Sequence, residues 1–197
     1  MKQETGSNPH STNQKVSIQV KLGGLSFSAD KGSIAQDADA VEFIIDTPRV
    51  TLAPREEVSL DSAEALLRLI GKPCRANECA ICSEPQSDIV AVMAIDSTAY
   101  ATITEQWGSR TLFTSPLLDM RHSEEHCLTV DISDKACYIR LFDNGLQRAE
   151  VYDASTNEDV LYYVSEWIGN SNIPIYIKSK AESAKFLSRY YKQVVCE

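Results

Sequence analysis

The residues with chemical reach in this chain are six cysteines, three histidines and a scatter of carboxylates. Cys74, Cys79 and Cys82 have the C-x4-C-x2-C spacing of plant-type iron–sulfur loops, with Cys127 as a candidate fourth thiolate. Cys79 and Cys82 also have the C-x2-C spacing of half a zinc site. The residues around them lack the rest of an iron–sulfur loop pattern, and no element places the fourth ligand. Three reduced thiols in a loop and strand edge are therefore the expectation, and no metal. His122 and His126 stand four apart, with Glu124, Glu125 and Cys127 nearby. On a helix the two imidazoles would share a face, but residues 121–125 read as a polar connector, so a solvated loop is expected there. The chain has no Ser–His–Asp pattern, no G-x-S-x-G, no P-loop and no G-x-G-x-x-G.

Composition narrows the partners. Apolar residues make up 43% and charged residues 24% of 197, so the chain can bury a core without disulfides or metal. The net charge is −9. Residues 1–15 carry +1, residues 16–124 carry −7 and residues 125–197 carry −3. No segment is strongly basic, so the counterion release that drives nucleic-acid binding is missing. An anionic membrane surface is disfavoured for the same reason, and the acidity serves solubility. No apolar run approaches the roughly 20 residues that span a bilayer, so no membrane insertion is expected. Residues 1–15 are polar, without the apolar centre of a signal peptide, and read as a disordered tail. The expected compartment is the cytoplasm, with reduced cysteines.

The elements that must position these groups follow from periodicity. Val16, Ile18, Val20 and Leu22 alternate as one face of a strand. Gly23-Gly24 is a hairpin turn, and Leu25, Phe27 and Ala29 continue on a return strand. Residues 41–46 make a third strand. A helix follows, capped by Asp61 with Glu64, burying Leu66, Leu67 and Ile70, and stopped by Gly71 and Pro73. Residues 74–85 read as irregular. Residues 88–95 are nearly all apolar, as in a central strand covered on both sides. Asp96 caps a second helix with Tyr100, Ile103 and Trp107 as its stripe, ended by Gly108, and residues 110–114 form another strand.

After the connector the order repeats. Leu128, Val130 and Ile132 alternate, residues 133–135 turn, and Cys137, Ile139 and Leu141 return. Asn144-Gly145 is the strongest hairpin signal in the chain. Gln147, Ala149 and Val151 form the next strand. Ser155 and Glu158 box a helix carrying Val160, Tyr163, Val164, Trp167 and Ile168, with Gly169 as its stop. Residues 173–177 are a strand that Pro174 suggests begins at an edge. Ser179 and Glu182 box a last helix with Phe186, Leu187 and Tyr190. Both halves thus read as three strands, helix, strand, helix, with residues 16–124 as one subdomain and 125–197 as the other.

This duplicated order over residues 16–195 resembles the ribonuclease H-like subdomain of the actin, sugar kinase and Hsp70 superfamily. The expected class is α/β, a degenerate actin-like ATPase architecture of two βββαβα subdomains. Residues 130–145, VDISDKACYIRLFDNG, resemble the second phosphate loop of actin-like ATPases. Residues 16–28 stand where the first would be, and residues 175–180 where a glycine pair meets adenosine. More specifically, VSIQVKLGGLSFS, TLAP at 51–54, TSPLL at 114–118 and LFDNGLQRAEVYDASTNEDVLYYVSEW resemble an uncharacterised bacterial family, domain of unknown function 3822, with a reduced actin-like fold. The chain is short for that family.

If a nucleotide binds, the resemblance puts Gly23, Gly24, Asp131, Ser133 and Ser179 around it. The departures argue against turnover. A phosphate-binding turn needs glycines so that backbone N–H groups can approach the anion, and Ser133-Asp134-Lys135 has none. The first loop keeps its glycines but lacks the Asp that manages metal and water, and Ser179-Lys180 replaces the adenosine glycine pair. A ribonuclease H two-metal site would need three or four converging carboxylates in one half. Asp46, Asp96, Asp131, Glu158 and Asp159 do not supply them and read as turn and cap residues. The expectation is a non-catalytic actin-like binding or scaffold module without a cofactor, acting through self-association or a protein partner. The alternatives are a nucleotide (ATP)-binding actin-like protein and a cysteine-ligated metal protein. A tyrosine left on the outer face would be a candidate partner contact.

Overall fold

The computed structural model describes residues 15–21, 38–84, 88–134, 136–178 and 180–197. The turn expected at Gly23-Gly24, the return strand through Leu25, Phe27 and Ala29, most of the N-terminal tail, Lys135 and Ser179 lie outside the described residues.

The first half builds two three-stranded sheets. Strands β1 (Lys15–Lys21), β2 (Ala40–Asp46) and β6 (Thr111–Thr114) run parallel, with β2 in the middle. Strands β3 (Val50–Pro54), β5 (Ile89–Asp96) and β4 (Glu78–Cys82) are antiparallel, with β5 central. The nearly all-apolar β5 fits that place because its two faces enter different cores. Val90, Val92 and Ala94 pack with Ala63 and Leu67 of helix α1 (Leu60–Leu69). Ala91, Met93 and Ile95 join Phe43 of β2 and Ile103 and Trp107 of helix α2 (Ser97–Trp107).

The second half is a mixed five-stranded sheet. Its strands are β7 (His126–Ile132), β8 (Ala136–Asp143), β9 (Leu146–Asp153), β10 (Ile175–Lys178) and β11 (Val194–Cys196), in the order β11-β10-β7-β8-β9. Strands β7, β8 and β9 form the expected antiparallel meander. The β8–β9 turn has Asn144 at φ 51 and Gly145 at φ 129, the left-handed backbone that tight hairpins demand. Helices α3 (Asn157–Ile168) and α4 (Ala181–Leu187) complete the unit. Val160, Val164, Ala184 and Leu187 close its core against Val130, Ile139, Ile175 and Ile177.

Several local expectations change. Residues 74–85 hold β4, a short strand of Glu78, Cys79, Ala80, Ile81 and Cys82 in which only Ile81 is fully buried, so it shows no clean alternation. Strands β1 and β2 pair directly and in parallel, Lys15 opposite Ala40 through Lys21 opposite Asp46. Strand β10 is interior, between β7 and β11. Pro174 precedes the strand rather than lying in it, and its carbonyl accepts from the Leu128 N–H at 2.9 Å. Helix α1 is capped by Ser59 with Ser62, and α3 by Thr156 with Asp159, one residue beyond the expected box. Lys180 stands at the N-cap of α4. Asp96 caps α2 as expected, accepting from the N–H groups of Thr98 and Ala99 at 3.0 Å each.

The halves are packed onto one another along one side. Ala136, Tyr138 and Val151 belong to the same core as Phe43, Ile45 and Met93. The buried Tyr138 hydroxyl donates to Asp46 Oδ1 at 2.8 Å and to the Thr47 carbonyl at 3.1 Å. Among the described residues, no helix is long and apolar enough to cross a membrane.

Candidate functional site

On the other side of this seam the halves leave an open cleft of about 530 Å³. Strand alternation builds its first wall. Ile18, Val41, Phe43 and Ile45 point into the core, so Gln19, Glu42 and Ile44 are turned the other way and line the cleft with Thr114. The Ser17 hydroxyl donates to Glu42 Oε2 at 3.0 Å. The 3-10 turn Pro116–Leu118 and the connector residues Asp119, Met120 and Arg121 form the floor. The second wall carries Asp131 from β7 and Lys178 from β10, which are register partners on adjacent parallel strands.

The charges in the cleft satisfy each other. Lys178 Nζ lies 3.4 Å from Asp131 Oδ2 and 3.5 Å from Asp119 Oδ2. Arg121 grips Asp119 with Nε at 2.9 and 3.0 Å and Nη2 at 2.8 Å. Behind them Arg140, 2% exposed, donates from Nε to Thr129 Oγ1 at 2.8 Å and from Nη1 to the Pro116 carbonyl, and lies 3.9 Å from Asp119. Burial pushes the Asp119 carboxyl up, but hydrogen bonds from Arg121 and the Arg140 charge overcome it and leave the group at about 2. Burial pulls Arg140 below the usual guanidinium value, opposed by Asp119 and Asp131.

Asp131 is the one nucleotide candidate that lines this cleft among the described residues. Ser133 is spent on its own turn: its hydroxyl accepts from the Ala136 N–H at 3.2 Å and donates to the Ala136 carbonyl at 3.3 Å. Lys180 Nζ takes the Ser133 carbonyl at 3.0 Å. Gly23, Gly24 and Ser179 lie outside the described residues. A divalent cation at Asp131 Oδ2 would compete with the Lys178 ammonium.

The cysteines divide. Three positions apart on β4, Cys79 and Cys82 fall on opposite faces, Cys79 against the central core and Cys82 with Cys74 against the core under α1. Burial pushes all three thiols up. Cys127 is fully buried in β7, where burial raises its thiol to about 11. The two histidines also part: the exposed His126 meets Asp143 at 3.2 Å, while His122 turns inward between Glu125 and Glu197.

Sequence reasoning missed Asp119, Arg121, Arg140 and Lys178 as site residues. Arg140 carried a readable signal, a lone cation in the apolar run of β8, where burial demands a partner.

Residues 29–173 match the model of a family described as protein of unknown function (DUF3822). No curated protein matches the chain. Among solved structures, the chain is similar to a Bacteroides thetaiotaomicron protein with actin-like ATPase fold and unknown function. The TM-score is 0.68 at 17% identity, covering 98% of this chain and 94% of that one. That likeness shows the fold. Weaker similarity extends to the cytoplasmic domain of EpsL, an inner membrane component of the type II secretion system of Vibrio cholerae, with TM-score 0.45, 11% identity and 83% and 81% coverage. It extends also to the AlfA filament bound to AMPPNP, with TM-score 0.41, 12% identity and 84% and 55% coverage.

Proposed function

Since the chain belongs to the DUF3822 family of proteins of unknown function and has an actin-like fold, we propose that it is a binding or scaffold module that does not turn over ATP. One observation carries this reading. Asp131, the carboxylate that the resemblance assigns to the second phosphate loop, holds the Lys178 ammonium at 3.4 Å. That ammonium competes with any metal ion for the carboxylate oxygen it holds. The non-glycine turn at residues 133–135 works in the same direction. In this reading residues 16–124 and 125–197 are the two ribonuclease H-like subdomains and the protein is cytoplasmic, where reduced thiols persist.

Partner contact falls to the outer face of the second half. Tyr162 and Tyr190 are each 59% exposed. Tyr162 meets Tyr163 edge-on, Tyr163 stacks on Tyr152 with centroids 4.1 Å apart, and Arg148 lies over the Trp167 ring. Tyrosine, tryptophan and arginine are the residue types that dominate protein interfaces.

The second reading, a nucleotide-binding protein, draws on the open cleft and its two cations, Arg121 and Lys178. Thermal melting with ATP and magnesium separates the two. The expected result is an unchanged midpoint for the native chain, and a clear upward shift overturns the non-binding reading. A chain that stays monomeric at every concentration and captures no partner overturns the scaffold reading.

A further inference from the structure

Three side chains from the connector and the start of the second half converge beside the end of β11. His122 comes from the connector turn, Glu125 from the residue before β7, and Cys127 from β7 itself. One ligand atom from each lies within 4.8 Å of the other two. A fourth group joins them: Glu197 Oε1 is 2.7 Å from His122 Nε2, while Glu125 Oε1 is 2.8 Å from His122 Nδ1. The imidazole is locked in place. Tyr176 stacks on it with centroids 4.1 Å apart and a 14° interplanar angle, and the Tyr176 hydroxyl donates to Glu125 Oε2 at 2.9 Å. Arg121 Nη2 holds Glu197 Oε2 at 3.2 Å.

We propose that His122, Glu125 and Cys127 form a binding site for a borderline divalent transition-metal ion of the zinc type, with Glu197 completing or orienting it. The donor set decides the class. Imidazole nitrogen, carboxylate oxygen and thiolate sulfur together suit zinc or cobalt, whereas magnesium and calcium take oxygen alone. The orienting shell is already built. Whichever ring nitrogen takes the ion, the other keeps a carboxylate partner, the arrangement that fixes ligand histidines in metalloproteins. Both ring nitrogens face carboxylates, a setting that favours a cation at this point.

Metal–ligand arms of about 2.0–2.3 Å put neighbouring tetrahedral ligand atoms roughly 3.5 Å apart. The observed cluster therefore needs only small side-chain movements. Cys127 supplies a dry inner wall and the exposed Glu125 an entry path. A bound ion would tie the connector and β7 to the residue that follows β11, stapling the edge of the second sheet.

Cobalt(II) added to the reduced full-length chain tests this. The expected spectrum has a thiolate-to-cobalt charge-transfer band and tetrahedral visible bands at stoichiometric metal. Both disappear in Cys127→Ser and His122→Gln and persist in Cys82→Ser. Because Cys127 is buried and its replacement could disturb folding, Glu125→Gln on the exposed rim provides a second reading, again with loss of the bands. Glu197→Gln weakens zinc binding by about 10- to 100-fold in chelator competition. No charge-transfer band in the native chain overturns the proposal, as does a band that survives Cys127→Ser but is lost in Cys82→Ser.

Discussion

Replacing Asp119 with asparagine removes the carboxylate shared by the two cations of the cleft and the buried Arg140 behind it. Arg121 grips both its oxygens, Lys178 lies at 3.5 Å, and the buried Arg140 at 3.9 Å. The Asp119 carboxyl falls from an ordinary 3.8 to about 2 in the folded chain. That gap corresponds to about 2.4 kcal/mol at 1.36 kcal/mol per pH unit. The group is partly exposed, and solvent screening lowers the figure to about 1–1.5 kcal/mol. Because the folded value lies below the unfolded one, this stability is fully present above 3.8 and is lost as pH falls through about 2. Asparagine mimics the protonated acid. Asp119→Asn should therefore cost about 1–1.5 kcal/mol near pH 7, roughly half of that near pH 3, and little near pH 2. Urea unfolding of both chains at several pH values measures the gap through the midpoints. A gap below about 0.5 kcal/mol at neutral pH, or one that stays constant down to about pH 3, refutes the claim that charge pairing at Asp119 closes the cleft floor.

Two further perturbations test the joints of the fold. Tyr138→Phe removes the hydroxyl that bridges the halves to Asp46 and Thr47 and should cost about 1–2 kcal/mol in urea unfolding, whereas an unchanged midpoint would mean that this buried bond adds nothing to the seam. Asp96→Ala strips the cap from α2 and should cost about 1 kcal/mol, with Asp96→Asn recovering most of the loss.

The second half was legible because its signals are local. Alternation in β7 and β8, the Asn144-Gly145 turn, the helical stripe through Val160 and Val164, and the Gly169 stop each act within a few residues. Short-range sterics and periodicity fix such features before any tertiary contact forms. The first half was harder to read. Strand β4 has no clear alternation, and its place beside β5 depends on a pairing of Ile81 with Met93 that no local pattern announces. The caps moved by a residue or two because Ser59 and Ser62, or Thr156 and Asp159, serve the same chemistry as their neighbours, and backbone geometry makes the choice.

The amino-acid sequence by itself determined the α/β class, the β7–β8–β9 meander with the helix that follows it, and the absence of glycine from the turn at residues 133–135. It did so because residue type and spacing act directly on the local backbone. Only the tertiary structure decided what Asp131 faces. Lys178 reaches it through the parallel pairing of β10 with β7, and Asp119 arrives from the connector. The same assembly brought His122, Glu125, Cys127 and Glu197 together and left His126 outside. Partners so far apart in the chain are chosen by strand order and register, which summed burial across the whole chain selects and no single segment encodes.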